Sequence, residues 1–221
     1  MLYDLLFVYK NISFENKLII FFTFAFAVIF SLTIHEFAHG AVANKLGDNT
    51  AKLAGRLSLN PMVHFDYVGM FCFLFLGFGW AKPVPINPYN FHNIKRDTFL
   101  VSIAGICVNL VCAFICYPFA LLFSRGSGVV MTIFYCLFSY LFEINLVFAV
   151  FNLLPIYPLD GFNALASQLK YTNPYVTFMQ RYGSFVLLAV IIVFSQTNIF
   201  SFLVNKVGYP ITWFWSLIFG A

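Results

Sequence analysis

The sequence predicts an all-α polytopic membrane protein: a helical bundle of about four to six transmembrane segments with a re-entrant or interfacial loop at 67–88. Three observations predict it. Of 221 residues, 62% are hydrophobic and 9% charged, against about half and about a quarter in a soluble domain. Apolar runs of spanning length recur along the chain at 18–34, 98–123, 129–154 and 183–204. The positive residues cluster in the connections between those runs. A formal net charge of +4 spread over such loops gives no support for nucleic-acid binding.

Residues 1–17 read as a polar and aromatic lead-in with the character of an interfacial helix. They carry no evident cleavable signal, because the first long apolar run leads into a histidine motif rather than a small-residue cleavage site. Leu18 through Ile34 is unbroken by charge and covers about 25 Å as helix, most of a hydrocarbon core. The helix should continue to about Leu46, where Gly47, Asp48 and Asn49 stop it. Residues 48–66 form a polar loop. The apolar stretch 67–79 is short for a comfortable span and interrupted by glycines, and reads as a re-entrant or interfacial segment. Pro83, Pro85 and Pro88 then impose an extended path. Spans follow at 98–123 and 129–154, joined by a tight turn around Arg125. Residues 162–182 read as a surface helix and loop, and 183–204 as a fourth span weakened by Gln196, Thr197 and Asn198. The aromatic tail to Ala221 is either interfacial or part of a further segment starting near Ile199. One domain is expected over 1–221, with a core at about 18–165 and C-terminal membrane segments at about 183–221. The five cysteines lie in apolar runs without C-x-x-C spacing and read as buried hydrophobes.

Chemistry concentrates in His35-Glu36-Phe37-Ala38-His39, an H-E-x-x-H motif at the end of the first span. Residues four apart share a helix face, so two imidazoles can meet one metal ion while Glu36 lies beside it, placed to take a proton from water. Ionisable groups at that depth point to function. A catalytic zinc needs a third protein ligand, and Asp160, followed by Gly161 after a Pro-broken helix end, is the best-placed acid. Its alternative is a helix-cap or turn aspartate. Asn152 could bind a substrate carbonyl or developing oxyanion, or bond another helix of the bundle. Asn145 lies on the same face and suggests a polar seam. Glu143 reads as structural, and His64 and His92 as ordinary loop histidines.

Charge and chemistry constrain the topology together. Loops 45–66, 80–97 and 155–182 hold Lys45, Lys52, Arg56, Lys82, Lys95, Arg96, Lys170 and Arg181, which favours the cytoplasm for all three. That placement requires 67–79 to turn back. The first and third spans then run in the same direction, and His39 and Asp160 finish at one end. A crossing at 67–79 would separate them.

Several motifs, in order over about residues 18–165, together resemble the site-2 proteases, intramembrane zinc metalloproteases. HEFAHG (35–40) resembles the family's zinc helix. GRLSLNP (55–61), with His64 and Asp66, and GWAKPVPINP (79–88) resemble the connecting region of its small bacterial and archaeal members. FNLLPIYPLDG (151–161) resembles the signature that carries the third ligand. The resemblance implies one Zn2+ held by His35, His39 and Asp160, with Glu36 activating water and Asn152 helping to bind substrate. It implies hydrolysis of a transmembrane protein or peptide substrate in the bilayer of a bacterial or archaeal cell membrane, near the cytoplasmic side. Release of a membrane-held regulator and clearance of remnant signal peptides are the uses it suggests. The chain departs from the family's pattern at Gly105-Ile106, often Gly-Pro, and at Phe162, often glycine, while Asn109 is retained. No PDZ or CBS domain is expected. The rival readings are a metal-ion transporter or channel and a catalytically silent membrane-binding homologue.

Overall fold

A computed structural model describes residues 13–220 apart from 70, 71, 73–78 and 80. Among the described residues the chain is helical and contains no strand. Helix α1 (Phe14–Lys45) starts at Ser13, whose hydroxyl accepts from Asn16 N at 3.4 Å. It ends before Gly47, whose φ of +106° only glycine adopts readily. A short α2 (Thr50–Leu53) follows. α3 (Ile94–Ser124) opens on a reciprocal cap: Asn93 Oδ1 accepts from Arg96 N, and Asp97 Oδ2 from Asn93 N. α4 (Val129–Asn152) runs back, and α5 (Asp160–Gln168) packs along α3. α6 (Pro174–Gln196) and α7 (Ile199–Phe219) complete the chain.

α1, α3 and α4 pack on one another as the centre of the bundle, and α7 lies against α3 and α4. Aromatic rings fill much of the α3–α4 seam, with Phe123 stacked on Phe134 and Phe138. α1, α3, α4 and α6 are each long and apolar enough to cross a membrane. For α6 the contacts show a different course. Tyr175 donates to the carbonyl of Pro155, a Cβ on Gly183 would meet Tyr157, and Phe194 stacks on Phe200, which in turn meets Phe151. All of these partners lie at the end of α4 that leads into Asp160. α6 therefore starts and finishes at one end of the bundle. It is α7 that traverses: it passes Leu146 at Gly208, Phe114 at Trp215, and reaches Arg125 at Phe219.

This corrects the expected fourth span at 183–204. The chain breaks at Thr197, which is extended at φ −132°, so the run divides into two helices. The polar trio Gln196, Thr197 and Asn198, which weakened the reading of one continuous span, marks the break.

The expected dip at 67–79 falls largely on residues outside those described. Its two ends are described, and they meet: Lys82 N donates to His64 O at 2.9 Å. The extended segment after it is clamped from three sides. Arg56 Nη2 donates to the carbonyls of Lys82 and Pro83, Glu36 Oε2 accepts from Val84 N, and Asp48 accepts from Asn87 N and Asn90 Nδ2.

Candidate metal centre

α1 presents His35 and His39 one turn apart, both buried, with rings 4.7 Å between centroids. α3 crosses them with Val101, Gly105 and Asn109, three positions four apart on one face. A Cβ on Gly105 would stand 2.5 Å from His35 Cε1 and 2.6 Å from His39 Nε2. Only glycine leaves room for the rings. α5 contributes Asp160, its first residue. Gly161 is forced by the loop before it, since any Cβ there would overlap the backbone of Leu153 and Leu154.

The outer nitrogens of both rings are committed. His35 Nδ1 lies 2.6 Å from Asn109 Oδ1 and His39 Nδ1 2.7 Å from the carbonyl of Val101. Asn109 Oδ1 is fixed as an acceptor because its amide nitrogen donates to Asn145 Oδ1 at 2.7 Å and to the carbonyl of Ser31. Asn145 donates in turn to Ser31 Oγ and Leu141 O. Both imidazoles must then donate from Nδ1, which leaves each Nε2 with a lone pair.

Those lone pairs converge. The two Nε2 atoms are 3.1 Å apart, and Asp160 Oδ2 lies 3.1 Å from His35 Nε2 and 3.2 Å from His39 Nε2. Asp160 Oδ2 is buried and receives no donor. Three acceptors facing one another form a cradle of the kind that holds a cation. Edges of this length belong to a tetrahedron of radius about 1.9–2.0 Å, close to the usual zinc–nitrogen and zinc–oxygen distances. Among the described residues these three form the one group of metal-ligand type.

Glu36 lies beside the cluster, half-buried, with Oε2 held by Val84 N at 2.9 Å. Asn152 is half-buried and donates to the carbonyl of Phe148 within its own helix. Asn145, expected in a seam with Asn152, is fully buried behind His35 instead. His64 is fully buried but 2.8 Å from Ser58 O, away from the cluster. His92 lies by Gly47, and Glu143 is exposed. Sequence reasoning gave Asn109 and Gly105 no role. Their i, i+4 spacing with Val101 was the available signal.

No family model matches the chain, and no solved structure matches it. Curated relatives do. YwhC of Bacillus subtilis, named as a candidate zinc metalloprotease, is 40% identical over 171 residues, covering 75% of this chain and 78% of YwhC. The chain belongs to the site-2 protease family. Two further relatives of this metalloprotease carry the same description. Rip2 of Mycolicibacterium smegmatis is 26% identical over 210 residues, covering 86% of this chain and 80% of Rip2. MJ0611 of Methanocaldococcus jannaschii is 28% identical over 156 residues, covering 71% and 73%. Zinc is the metal in all three names, and the donor set here fits it.

Proposed function

We propose that this metalloprotease is an intramembrane endopeptidase, holding one zinc with His35, His39 and Asp160 and hydrolysing a peptide bond of a transmembrane substrate. The observation that carries the reading is the convergence of three lone-pair atoms, 3.1–3.2 Å apart, two of them on a helix long and apolar enough to span a membrane, with Glu36 beside them. Zinc in that cradle supplies Lewis acidity, polarising a carbonyl and acidifying water. Glu36 supplies the proton traffic. Its Oε2 is tied to Val84 N, which aims the carboxylate and leaves Oε1 to take a proton from the attacking water. The hydroxide equivalent adds to the scissile carbonyl carbon. Glu36 then delivers the proton to the amide nitrogen as the carbon–nitrogen bond breaks, giving one carboxylate and one amine. Asn152 serves as a positioning donor for the substrate.

A substrate helix engages its carbonyls in its own i to i+4 bonds, so it must unwind locally before attack. The site faces the cytoplasm in this reading. Its end of the bundle carries Lys45, Lys52, Arg56, Lys82, Lys95, Arg96, Lys170 and Arg181, against Lys17 and Arg125 at the other. The test is cleavage of a single-span substrate in vesicles by wild type and Glu36→Gln, with zinc measured in both. Wild type should cleave, and Glu36→Gln should keep its zinc and lose cleavage. A Glu36→Gln protein that cleaves at the wild-type rate would refute the role of Glu36.

A further inference from the structure

The half of α4 nearest the metal centre is covered, with one exception. From Cys136 to Asn152 every residue is buried or half-buried except Glu143. Glu143 is about 21 Å from the start of α4 at Val129 and about 14 Å from its end at Asn152, well inside a hydrocarbon core. Among the described residues its carboxylate has no hydrogen bond and no ion pair. A carboxylate exposed at that depth is costly unless something donates to it, and lipid tails carry no donor.

Its neighbours define where it looks out. Phe142 and Leu146 lie against Gly208 of α7, while Tyr140 meets Phe24 and Leu141 meets Ala27 on α1. Glu143 thus opens between α1 and α7. On α7 the positions flanking Gly208, on the side away from Trp215 and α3, are Ser201, Asn205 and Tyr209, four apart and all exposed. A polar edge therefore adjoins the carboxylate. Lys206 does not reach it: its Nζ stands 5.9 Å from the Phe202 ring.

We infer that Glu143 is an intramembrane docking point for a transmembrane helix of a second protein, one carrying a basic or amide side chain near its middle. The charge selects the partner, since a buried carboxylate is stabilised by a cation or an N–H donor and by nothing in an all-apolar helix. The Ser201–Asn205–Tyr209 edge offers further hydrogen bonds to the same occupant. The inference concerns binding and needs no step of the hydrolysis.

The test uses the full, zinc-loaded chain in phosphatidylcholine vesicles with labelled synthetic Leu/Ala helices of about 23 residues. Three helices carry Lys, Asn or Leu at the central position, and association is read by energy transfer. Wild type should bind the Lys and Asn helices at least about tenfold more tightly than the Leu helix. Glu143→Leu should abolish that preference, and Glu143→Gln should lose it for Lys while keeping it for Asn. Should Glu143→Leu fail to retain zinc, the Lys-against-Asn comparison in Glu143→Gln decides alone. Equal binding of all three helices by wild type overturns the inference. So does a preference that the Glu143 substitutions leave unchanged, or Glu143-dependent association confined to copies of this chain.

Discussion

Adding one methyl group at Gly105 separates metal binding from folding. The Cβ of Gly105→Ala would lie 2.5 Å from His35 Cε1, 2.6 Å from His39 Nε2 and 2.7 Å from His35 Nδ1. Carbon atoms rest at about 3.5–4.0 Å, so the rings or the helix must give by about 1 Å. Metal ligation tolerates only about 0.2 Å. Neither ring can retreat freely, because Asn109 and Val101 hold their Nδ1 atoms. Zinc affinity should therefore fall by at least about 100-fold, the upper end of what disturbing a ligand's supports costs. The helix itself should not suffer, since alanine is favoured over glycine in a helix interior by about 1 kcal/mol. The assay is zinc per chain against a competing chelator, with the thermal transition of the zinc-free protein recorded alongside. Gly40→Ala is the control, because the nearest atoms to its Cβ are side-chain carbons of Leu57, Val84 and Ala51 at 3.4–3.5 Å. Wild-type zinc affinity in Gly105→Ala would refute the close approach of α3 to the ligands.

Replacing Asn109 by alanine removes the acceptor of His35 Nδ1 and should weaken zinc binding about 10- to 100-fold, measured by the same competition. Glu36→Gln should lower cleavage by about 10²- to 10⁴-fold with zinc retained, as expected when a proton shuttle is removed. Asp48→Ala orphans the donors from half-buried Thr50 and Asn87 and from exposed Asn90, and limited proteolysis should find the 81–91 segment more open. The same carboxylate gives a pH dependence. Burial alone would raise Asp48, but the donors from Thr50, Asn87 and Asn90 outweigh it and hold it low. A depressed carboxyl stabilises the fold above its unfolded value, near 3.8, and that stability is lost as the pH falls through the folded value. Proteolysis of 81–91 should therefore be unchanged between neutral pH and about 5 and rise only below about 4.

The spans legible in the sequence were those whose signal is local. The run from Leu18 into His35 and Glu36 names its own helix, and the apolar runs ending at Phe123 and Leu154 name α3 and α4 to within a few residues. The candidate ligand cluster was legible in part: the i, i+4 histidines name two of its members, while spacing alone left Asp160 level with a cap or turn aspartate. What could not be read was carried by packing. Gly105 looks like any glycine in an apolar span until two imidazoles lie against it, and Asn109 acquires its role only from the ring of His35. Hydropathy also does not tell which C-terminal helix runs the length of the bundle. Phe185 to Phe194 is the more apolar stretch, yet α6 stays at one end, while α7, with Asn205 and Lys206, runs along α4 and α3 at Gly208 and Trp215.

Zinc per chain, measured on wild type purified without chelator and on His35→Ala, His39→Ala and Asp160→Ala, tests the centre most directly. One zinc per wild-type chain, with each substitution reducing it to a small fraction, is the expected result. A metal-free wild type, or a full complement of zinc in the Asp160→Ala chain, would contradict it.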